Sequence, residues 1–265
     1  MTVLATAEPW DLVAAHYAAE ALPYFEVFSR EALRIAALPP RALVADIAAG
    51  PGTLSLMAAA GGAAVSAIDV SPAMVEQFRA RVAAAGLDAA IDLRVGDGQQ
   101  LPFESGAFDA AFSMFGLMFF PDRAAGMREM KRVLKPGGRA LVGSWIPFDG
   151  PFGVLMKTAG ELVPGLPSDG DLALADEDSI QRELRAAGLT DVTVHRVAHE
   201  LQAPSFDAFW ESMQRTNAAL VLIKHRAGPE RWQALGPKIR ERVAATLGNG
   251  PLTIGRGAFI GVGTA

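Results

Sequence analysis

Along the first 200 residues, short apolar segments alternate with longer segments whose apolar residues recur at helical spacing. The apolar segments predict six strands, at 41–48, 63–70, 89–97, 108–115, 139–146 and 190–201. The amphipathic segments predict helices at 52–62, 71–86, 122–134 and 175–188. Strands that alternate with helices are typical of an α/β fold, in which a mostly parallel sheet is covered on both faces.

The last part of the chain has a different pattern. Two helical segments, 205–215 and 229–248, precede a seventh predicted strand at 252–263. Another segment, 147–170, is apolar but interrupted by Gly and Pro. Because no repeat and no long linker separates these segments from the rest, we interpret them as helical insertions.

These patterns predict a simple domain organisation. Residues 1–40 are expected to form an N-terminal helical cap segment, since the stretch from Glu8 to Arg30 has a helical pattern. Residues 41–265 are expected to form one domain, with helical cap insertions at about 147–170 and 204–248.

Composition narrows the class of protein. Hydrophobic residues make up 51% and charged residues 20% of the chain, which favours a packed core over disorder. The net charge of −5 disfavours a nucleic-acid partner, which would need a basic face. No stretch reaches the about 20 apolar residues that span a bilayer, and no signal peptide is evident, so we expect a cytoplasmic protein without a membrane partner.

Metal and thiolate chemistry are not expected. The chain has no cysteine, which excludes disulfides and Cys nucleophiles. Of the four histidines, His195 and His199 would share a strand face about 13 Å apart, too far to bind one metal ion.

The chemistry is expected where the first three strands end. In an open parallel sheet, ligands bind at the carboxyl ends of the strands. The segment "DIAAGPG" (46–52) follows the first strand, and its glycines let the backbone approach a ligand closely. Asp69 ends the second strand, where an acid can accept hydrogen bonds from a ribose diol, and Asp97 ends the third.

Four segments occur in the chain in an order that is typical of one protein family, and together they are more specific than any single motif. They are "VADIAAGPGTLSL", "AIDVSPAMVEQFRAR", "VGDGQQLPFESGAFDAAFSMF" and "REMKRVLKPGGRALVGSW". With them the chain resembles the class I S-adenosylmethionine-dependent methyltransferases, and among these the ubiquinone/menaquinone-biosynthesis C-methyltransferases. The resemblance is strong over roughly residues 40–146. It implies a Rossmann-like, seven-stranded sheet whose last strand is antiparallel, and S-adenosyl-L-methionine as cofactor.

The resemblance also implies which residues bind the cofactor. These are Tyr17, Asp46, Ala48, Gly50, Gly52, Asp69, Val70, Met74, Gly96, Asp97, Gly98, Gln99, Ser113 and Met114. Asp46 and the 48–52 turn would hold the methionine end, Asp69 the ribose hydroxyls and Asp97 the adenine amino group. Ala48 departs from the family pattern, which usually has Gly there. Tyr17 is expected to close over the cofactor, although it could instead pair with Trp10 against the sheet edge.

The run "FSMFGLMFFPD" (112–122) predicts the floor of the acceptor site, since its second half follows the fourth strand. Dry apolar walls suit a displacement that depends on positioning and on the exclusion of water. The predicted acceptor pocket comprises Phe115, Met118, Phe119 and Trp210, the last with Phe206 and Phe209 in a lid. Core packing is the alternative for Met118, Phe119 and Phe120, and the lid helices could equally bury their apolar faces on the sheet.

No catalytic residue is assigned. The candidates for a general base are His16, His225, Asp149 and Glu211, each of which could equally be a solvated or structural residue.

The expected function is methyl transfer to a small apolar or aromatic molecule on O, N or C, in a monomer or a homodimer supported by exposed aromatics of the C-terminal helices. One alternative is a protein that binds the cofactor without transferring methyl. Another is a nicotinamide-dependent reductase, but its G-x-G-x-x-G pattern would need Gly at Ser55.

Overall fold

The computed structural model describes residues 3–147, 150–163 and 173–265. Its centre is one seven-stranded sheet with strands β1 (Leu43–Ile47), β2 (Ala64–Asp69), β3 (Ile91–Val95), β4 (Phe108–Met114), β5 (Leu134–Trp145), β6 (Thr190–Ala203) and β7 (Leu252–Thr264). The strand order is β3-β2-β1-β4-β5-β7-β6. Only β7 runs antiparallel to its neighbours in this sheet. The predicted Rossmann-like fold class is therefore confirmed.

Helices cover both faces of the sheet. They are α1 (Glu8–His16), α2 (Leu22–Ala36), α3 (Thr53–Ala60), α4 (Pro72–Ala85), α5 (Arg123–Val133), α6 (Gly150–Leu162), α7 (Glu177–Ala186), α8 (Phe206–Thr216) and α9 (Ala218–Leu247). A π-helical turn joins α1 to α2, and a short 3-10 helix, Leu117–Phe119, follows β4. None of the helices in the described ranges has an apolar stretch long enough to cross a bilayer.

The ends of α4 follow from local sequence rules. Ser71 caps the helix by accepting a 3.0 Å hydrogen bond from the Met74 N–H, and Pro72 takes the first helical position. Gly86 ends the helix with a left-handed φ of 65°. Both ends were predicted from these residues.

Two boundaries differ from the prediction. β5 begins at Leu134 rather than at residue 139, because Leu134 already pairs with Phe108 before a register shift in the β4–β5 ladder. The helical region before β7 begins at Ala218 rather than at residue 229, and it breaks at Gly228, which has a non-helical φ of 74°.

Apolar residues form a core on each face of the sheet, because alternate residues of β1, β4 and β5 point to opposite faces. A third apolar cluster joins α6, α8 and α9 to the ends of β6 and β7. It lies at the same end of the sheet as the carboxyl terminus of β5, and so beside the strand ends where a ligand is expected.

Candidate functional site

A small cleft of about 120 Å³ opens at the carboxyl ends of β1, β2 and β4. Its walls contain many of the residues that the sequence predicts: Tyr17, Asp46, Ala48, Gly50, Asp69, Val70, Met74, Met114, Phe115 and Phe119. Residues from the ends of three neighbouring strands of the sheet thus converge with the N-terminal helices on one site.

Asp69 joins two loops of the small cleft. One carboxylate oxygen accepts a 2.7 Å hydrogen bond from the Gly50 N–H, and the other accepts a 2.9 Å bond from the Ser71 N–H. A carboxylate has about four acceptor sites, so Asp69 retains capacity for ligand hydroxyls. Burial, with a smaller contribution from the nearby Asp11 carboxylate, raises the pKa of Asp69 to about 6 despite these backbone donors.

Asp46 is the more deeply buried acid, with 2% of its surface exposed. Its carboxylate accepts a 2.6 Å hydrogen bond from the Ser55 hydroxyl. Burial, with a smaller contribution from the negative charge of Asp69, raises the pKa of Asp46 to about 7. Ser55 therefore holds an acid of the cleft at the position where a dinucleotide-binding pattern would have Gly.

The 48–52 turn has three residues with left-handed backbone, at φ values of 57°, 55° and 80° for Ala48, Gly50 and Gly52. A Cβ at Gly50 would meet nothing within 4 Å, whereas a Cβ at Gly52 would overlap the Phe78 ring. Gly50 therefore leaves space open beside the cleft, and Gly52 allows close packing. Ala48 adopts a conformation that favours Gly, and its Cβ occupies the space in which Gly116 lacks one.

Several predicted cofactor residues lie outside the walls of the small cleft: Gly52, Gly96, Asp97, Gly98, Gln99 and Ser113. Asp97 is exposed and accepts a 2.8 Å hydrogen bond from the Gln99 N–H. Phe120, which lines the cleft, packs on Gly98 and covers this turn. The buried Ser113 hydroxyl instead accepts a 3.2 Å bond from the Leu117 N–H after β4.

The N-terminal helices cover the small cleft with aromatic rings. Trp10 lies 5.4 Å from Phe119 and 6.5 Å from Tyr17, measured between ring centroids. Tyr17 thus pairs with Trp10 and also lines the cleft, and its contact with a cofactor stays a prediction. Asp11 fixes α1 in place by accepting bonds from the Ser71 hydroxyl (2.5 Å) and the Ala73 N–H (3.1 Å). Sequence reasoning missed Asp11, because an acid in an amphipathic helix carries no signal of a distant partner.

A large cavity of about 660 Å³ adjoins the small cleft. The two share a wall formed by Leu4, Trp10, Tyr17, Phe25, Phe115, Phe119 and Phe120. Met118 lines the large cavity, as the sequence predicted for an acceptor site.

Trp210, which the sequence places in the acceptor pocket, lines neither of these two cavities. It is buried in the cluster of α6, α8 and α9, whereas its neighbour Phe209 and Met213, one turn on, face the large cavity. Adjacent helix residues point about 100° apart, which a sequence pattern without the neighbouring elements does not resolve. Since Phe206, Phe209 and Trp210 are buried, they also give no support to a homodimer.

A column of stacked groups, which begins at Phe115 of the shared wall, lines the large cavity. Phe115, at a left-handed φ of 65°, stacks on Trp145 at the end of β5, with ring centroids 3.8 Å apart and planes 15° apart. The Arg256 guanidinium lies 3.7 Å from the Trp145 ring centroid and 4.2 Å from that of Phe152. Sequence reasoning missed Trp145, Phe152 and Arg256, which belong to three different elements.

The base candidates that the structure describes do not line either cavity. The exposed His16 side chain lies 3.5 Å from Glu20, and His225 and Glu211 are exposed. Asp149 lies outside the described residues, as does much of the 147–170 segment. Within the part of the chain that is described, no three acidic or histidine side chains form a metal-sized cluster.

A methyltransferase-domain family model matches residues 45–142 of the chain. A demethylmenaquinone methyltransferase of Mycolicibacterium gilvum is 35% identical over 179 residues, which cover 62% of this chain and 74% of that protein. An uncharacterized protein of Mycobacterium tuberculosis is 39% identical over 125 residues, which cover 47% of this chain and 44% of that protein. The match thus spans less than half the length of this second relative.

Among solved structures, phosphoethanolamine N-methyltransferase 2 of Haemonchus contortus, in complex with phosphomonomethylethanolamine and S-adenosylhomocysteine, has the same fold. The superposition of the two structures has a TM-score of 0.57 at 18% sequence identity. It covers 89% of this chain and 52% of that chain.

Proposed function

Because this chain belongs to the class I S-adenosylmethionine-dependent methyltransferase family, we propose that it transfers a methyl group from S-adenosylmethionine directly to a small apolar or aromatic acceptor. One observation carries the proposal. The small cleft, with two buried acids, and the large, mostly apolar cavity share one aromatic wall. A cofactor in the small cleft and an acceptor in the large cavity would both contact these shared residues, and so would lie next to each other.

The residues of the small cleft fit S-adenosylmethionine. The remaining acceptor capacity of Asp69 suits a ribose diol, and the open space beside Gly50 leaves room for a ligand. The buried carboxyl of Asp46 suits the cationic methionine end. When bound, the cofactor supplies a methyl group on a positively charged sulfur.

The chain positions the acceptor and excludes water from the site of transfer. Phe115, Phe119 and Phe120 line both cavities and restrict an acceptor to approach along the shared wall. The cap excludes water from it through Trp10 on α1 and Tyr17 on the π-helical turn between α1 and α2. The base candidates that the structure describes line neither cavity, so they would not take a proton from the acceptor. An acceptor that is acidic enough to lose its proton to water is therefore favoured.

The same argument supports the predicted organisation into a cap and a domain. Residues 1–40 act as the cap over the cofactor, and the described parts of 147–170 and 204–248 enclose the acceptor. We place the enzyme in the cytoplasm, consistent with the absence of a bilayer-crossing helix among the described residues.

Calorimetric titration with S-adenosylhomocysteine tests the cofactor site. Wild type should bind it, and Asp69→Ala should bind roughly 100-fold more weakly, because hydrogen bonds to a buried charged group are lost. Asp92→Ala is the control, since Asp92 is an exposed acid of the neighbouring strand β3, paired with Arg94. Titration with NADPH in parallel tests the reductase alternative, which tighter binding of NADPH would establish.

Turnover tests the reaction itself. With methyl-labelled cofactor, label should reach a small phenol, amine or carbon acid in wild type but not in Asp69→Ala. Tight binding of S-adenosylhomocysteine with no label transferred to any acceptor of the panel would contradict methyl transfer and favour the non-transferring alternative.

A further inference from the structure

Tyr24, on α2, lines the large cavity, and only 7% of its surface is exposed. Its buried hydroxyl has no hydrogen-bond partner among the residues that the structure describes. Two charged side chains of the same cavity are instead paired, since Glu20 accepts a 2.8 Å bond from Arg215 and Arg123 donates a 3.1 Å bond to Glu183. Leaving a buried hydroxyl unpaired is unfavourable, so the Tyr24 hydroxyl points to a partner from outside the chain.

The ring of Tyr24 is held by other rings on several sides. Phe28, Trp145 and His199 lie 5.4, 6.0 and 5.4 Å from it, measured between ring centroids. Because these neighbours belong to α2, β5 and β6, they restrict the Tyr24 ring and so fix where its hydroxyl lies. A group that is already fixed loses little conformational freedom when it binds a ligand.

The Tyr24 hydroxyl is a donor rather than a base. Burial raises the pKa of this hydroxyl well above its ordinary value, although the positive charge of Arg256 acts in the opposite direction. The hydroxyl therefore stays protonated at neutral pH. It can donate one hydrogen bond to a ligand oxygen, but it is not suited to remove a proton from the acceptor.

We propose that Tyr24 determines acceptor specificity, because its hydroxyl donates a hydrogen bond to an oxygen of a planar methyl acceptor in the large cavity. This inference rests on the proposed function, since it concerns the acceptor of that reaction. Phe115 and Trp145, stacked 3.8 Å apart beside Tyr24, offer flat apolar surface to a planar body. Tyr24 lines the large cavity but is not among the walls of the small cleft. The bound oxygen therefore orients the acceptor and is not the atom that receives the methyl group.

Two matched probes test the proposal. 2-Acetonaphthone carries a carbonyl oxygen on a planar ring system, and 2-isopropenylnaphthalene has a CH₂ group in place of that oxygen. By calorimetry, Tyr24→Phe should bind 2-acetonaphthone about 5- to 10-fold more weakly than wild type does, the effect of one neutral hydrogen bond. The affinity for 2-isopropenylnaphthalene should be unchanged, because Phe keeps the ring and its packing. Equal effects on the two probes, or failure of wild type to bind 2-acetonaphthone, would overturn the proposal.

Ser212→Ala is the matched control. Ser212 also lines the large cavity with a hydroxyl group, but it is half-buried, so water can reach it. Its substitution should leave the affinities for both probes unchanged. A loss of 2-acetonaphthone affinity in Ser212→Ala but not in Tyr24→Phe would assign the donor to Ser212 and refute the role of Tyr24.

Thermal unfolding tests the unpaired hydroxyl without any probe. Tyr24→Phe removes a buried polar group that has no partner, so the free variant should melt at the same temperature as wild type or at a higher one. Saturating 2-acetonaphthone should raise the melting temperature of wild type more than that of the variant. A free variant that melts at a lower temperature would show that the hydroxyl already has a partner in the fold, which contradicts the proposal.

Titration with S-adenosylhomocysteine separates this outcome from that of the proposed function. Tyr24→Phe and Ser212→Ala should both bind it as wild type does, because the walls of the small cleft include neither residue. Failure of wild type to bind S-adenosylhomocysteine counts against the proposed function. Equal responses of the two probes to Tyr24→Phe, with that binding retained, count only against the role of Tyr24.

Discussion

The small cleft and the large cavity are adjacent but built by different means. Apart from the cap, the small cleft is formed by the ends of three neighbouring strands of the sheet, β2, β1 and β4, and the turns after them, between residues 46 and 120. Its shape depends on backbone, in left-handed turn residues and in N–H groups held by Asp69. The wall of the large cavity ranges from residue 4 to residue 256 and depends on side chains stacked on one another. We therefore expect the cleft to resist substitution and the cavity to tolerate it.

Two methionines test this contrast with the largest expected effect. Met74 is buried at the small cleft, whereas the half-buried Met156 lines the large cavity. Met74→Ala should lower the free energy of unfolding by about 2–5 kcal/mol and weaken binding of S-adenosylhomocysteine, because it leaves a cavity under α1. Met156→Ala should lower the free energy of unfolding by about 1 kcal/mol or less, since Met156 already borders open space. It should leave the binding of S-adenosylhomocysteine unchanged. Urea denaturation and calorimetry measure both; similar losses in the two variants would refute the contrast.

Two glycines separate backbone conformation from packing. Gly52 and Gly62 both have left-handed φ, 80° and 92°, but only at Gly52 would a Cβ meet another residue. Gly62→Ala should lower the free energy of unfolding by about 1–2 kcal/mol from backbone strain. Gly52→Ala should lower it by about 1–3 kcal/mol more, because its Cβ would overlap Phe78. Equal losses in urea denaturation would mean that Phe78 moves aside freely.

Ala48 and Gly116 test whether the departure from the family pattern is compensated across the cleft. Gly116→Ala should lower the free energy of unfolding by about 1–3 kcal/mol, because the new Cβ would overlap that of Ala48. Adding Ala48→Gly should restore much of the loss, since it removes the overlapping group and relieves a left-handed Ala. A double-mutant cycle measures the coupling, and purely additive effects would contradict a shared space.

The raised pKa of Asp46 predicts a pH-dependent effect. With the folded-state pKa raised from 3.8 to about 7, the folded state binds more protons than the unfolded state between these two values. Wild-type stability should therefore fall as pH rises through that window. Asp46→Asn should be more stable than wild type by about 3–4 kcal/mol at pH 8 and similar at pH 4, with a residual slope from Asp69.

If Asp46 holds the cationic methionine end as proposed, the same variant should bind S-adenosylmethionine more weakly, since it lacks the negative charge. Thermal unfolding across pH and calorimetry measure the two effects, with Asp92→Asn as an exposed control. A variant that is less stable than wild type at pH 8 would show that the Asp46–Ser55 bond outweighs the cost of burying the charge.

Much of the fold could be predicted from the sequence, because it depends on residues that are close together in the chain. The caps of α4 at Ser71 and Gly86 depend only on nearby side chains and on glycine's conformational freedom, so they could be predicted. The start of β5 could not, because Leu134 is drawn into the sheet by its pairing with Phe108 across the β4–β5 ladder. The orientation of Trp210 could not be predicted for a similar reason, since which of two adjacent helix residues faces a cavity depends on how α8 packs against α6 and α9.

By itself, the sequence determined the parallel sheet, its order of elements and the group of acids and glycines at the strand ends. These depend on periodicity and on turns, which are encoded within a few residues of one another. Only the tertiary structure decided that Asp11 fixes the cap, that Phe120 covers Gly98 and that Arg256 lies between Trp145 and Phe152. Such contacts join residues far apart in the chain, and no local pattern specifies which side chains will meet once the elements have packed.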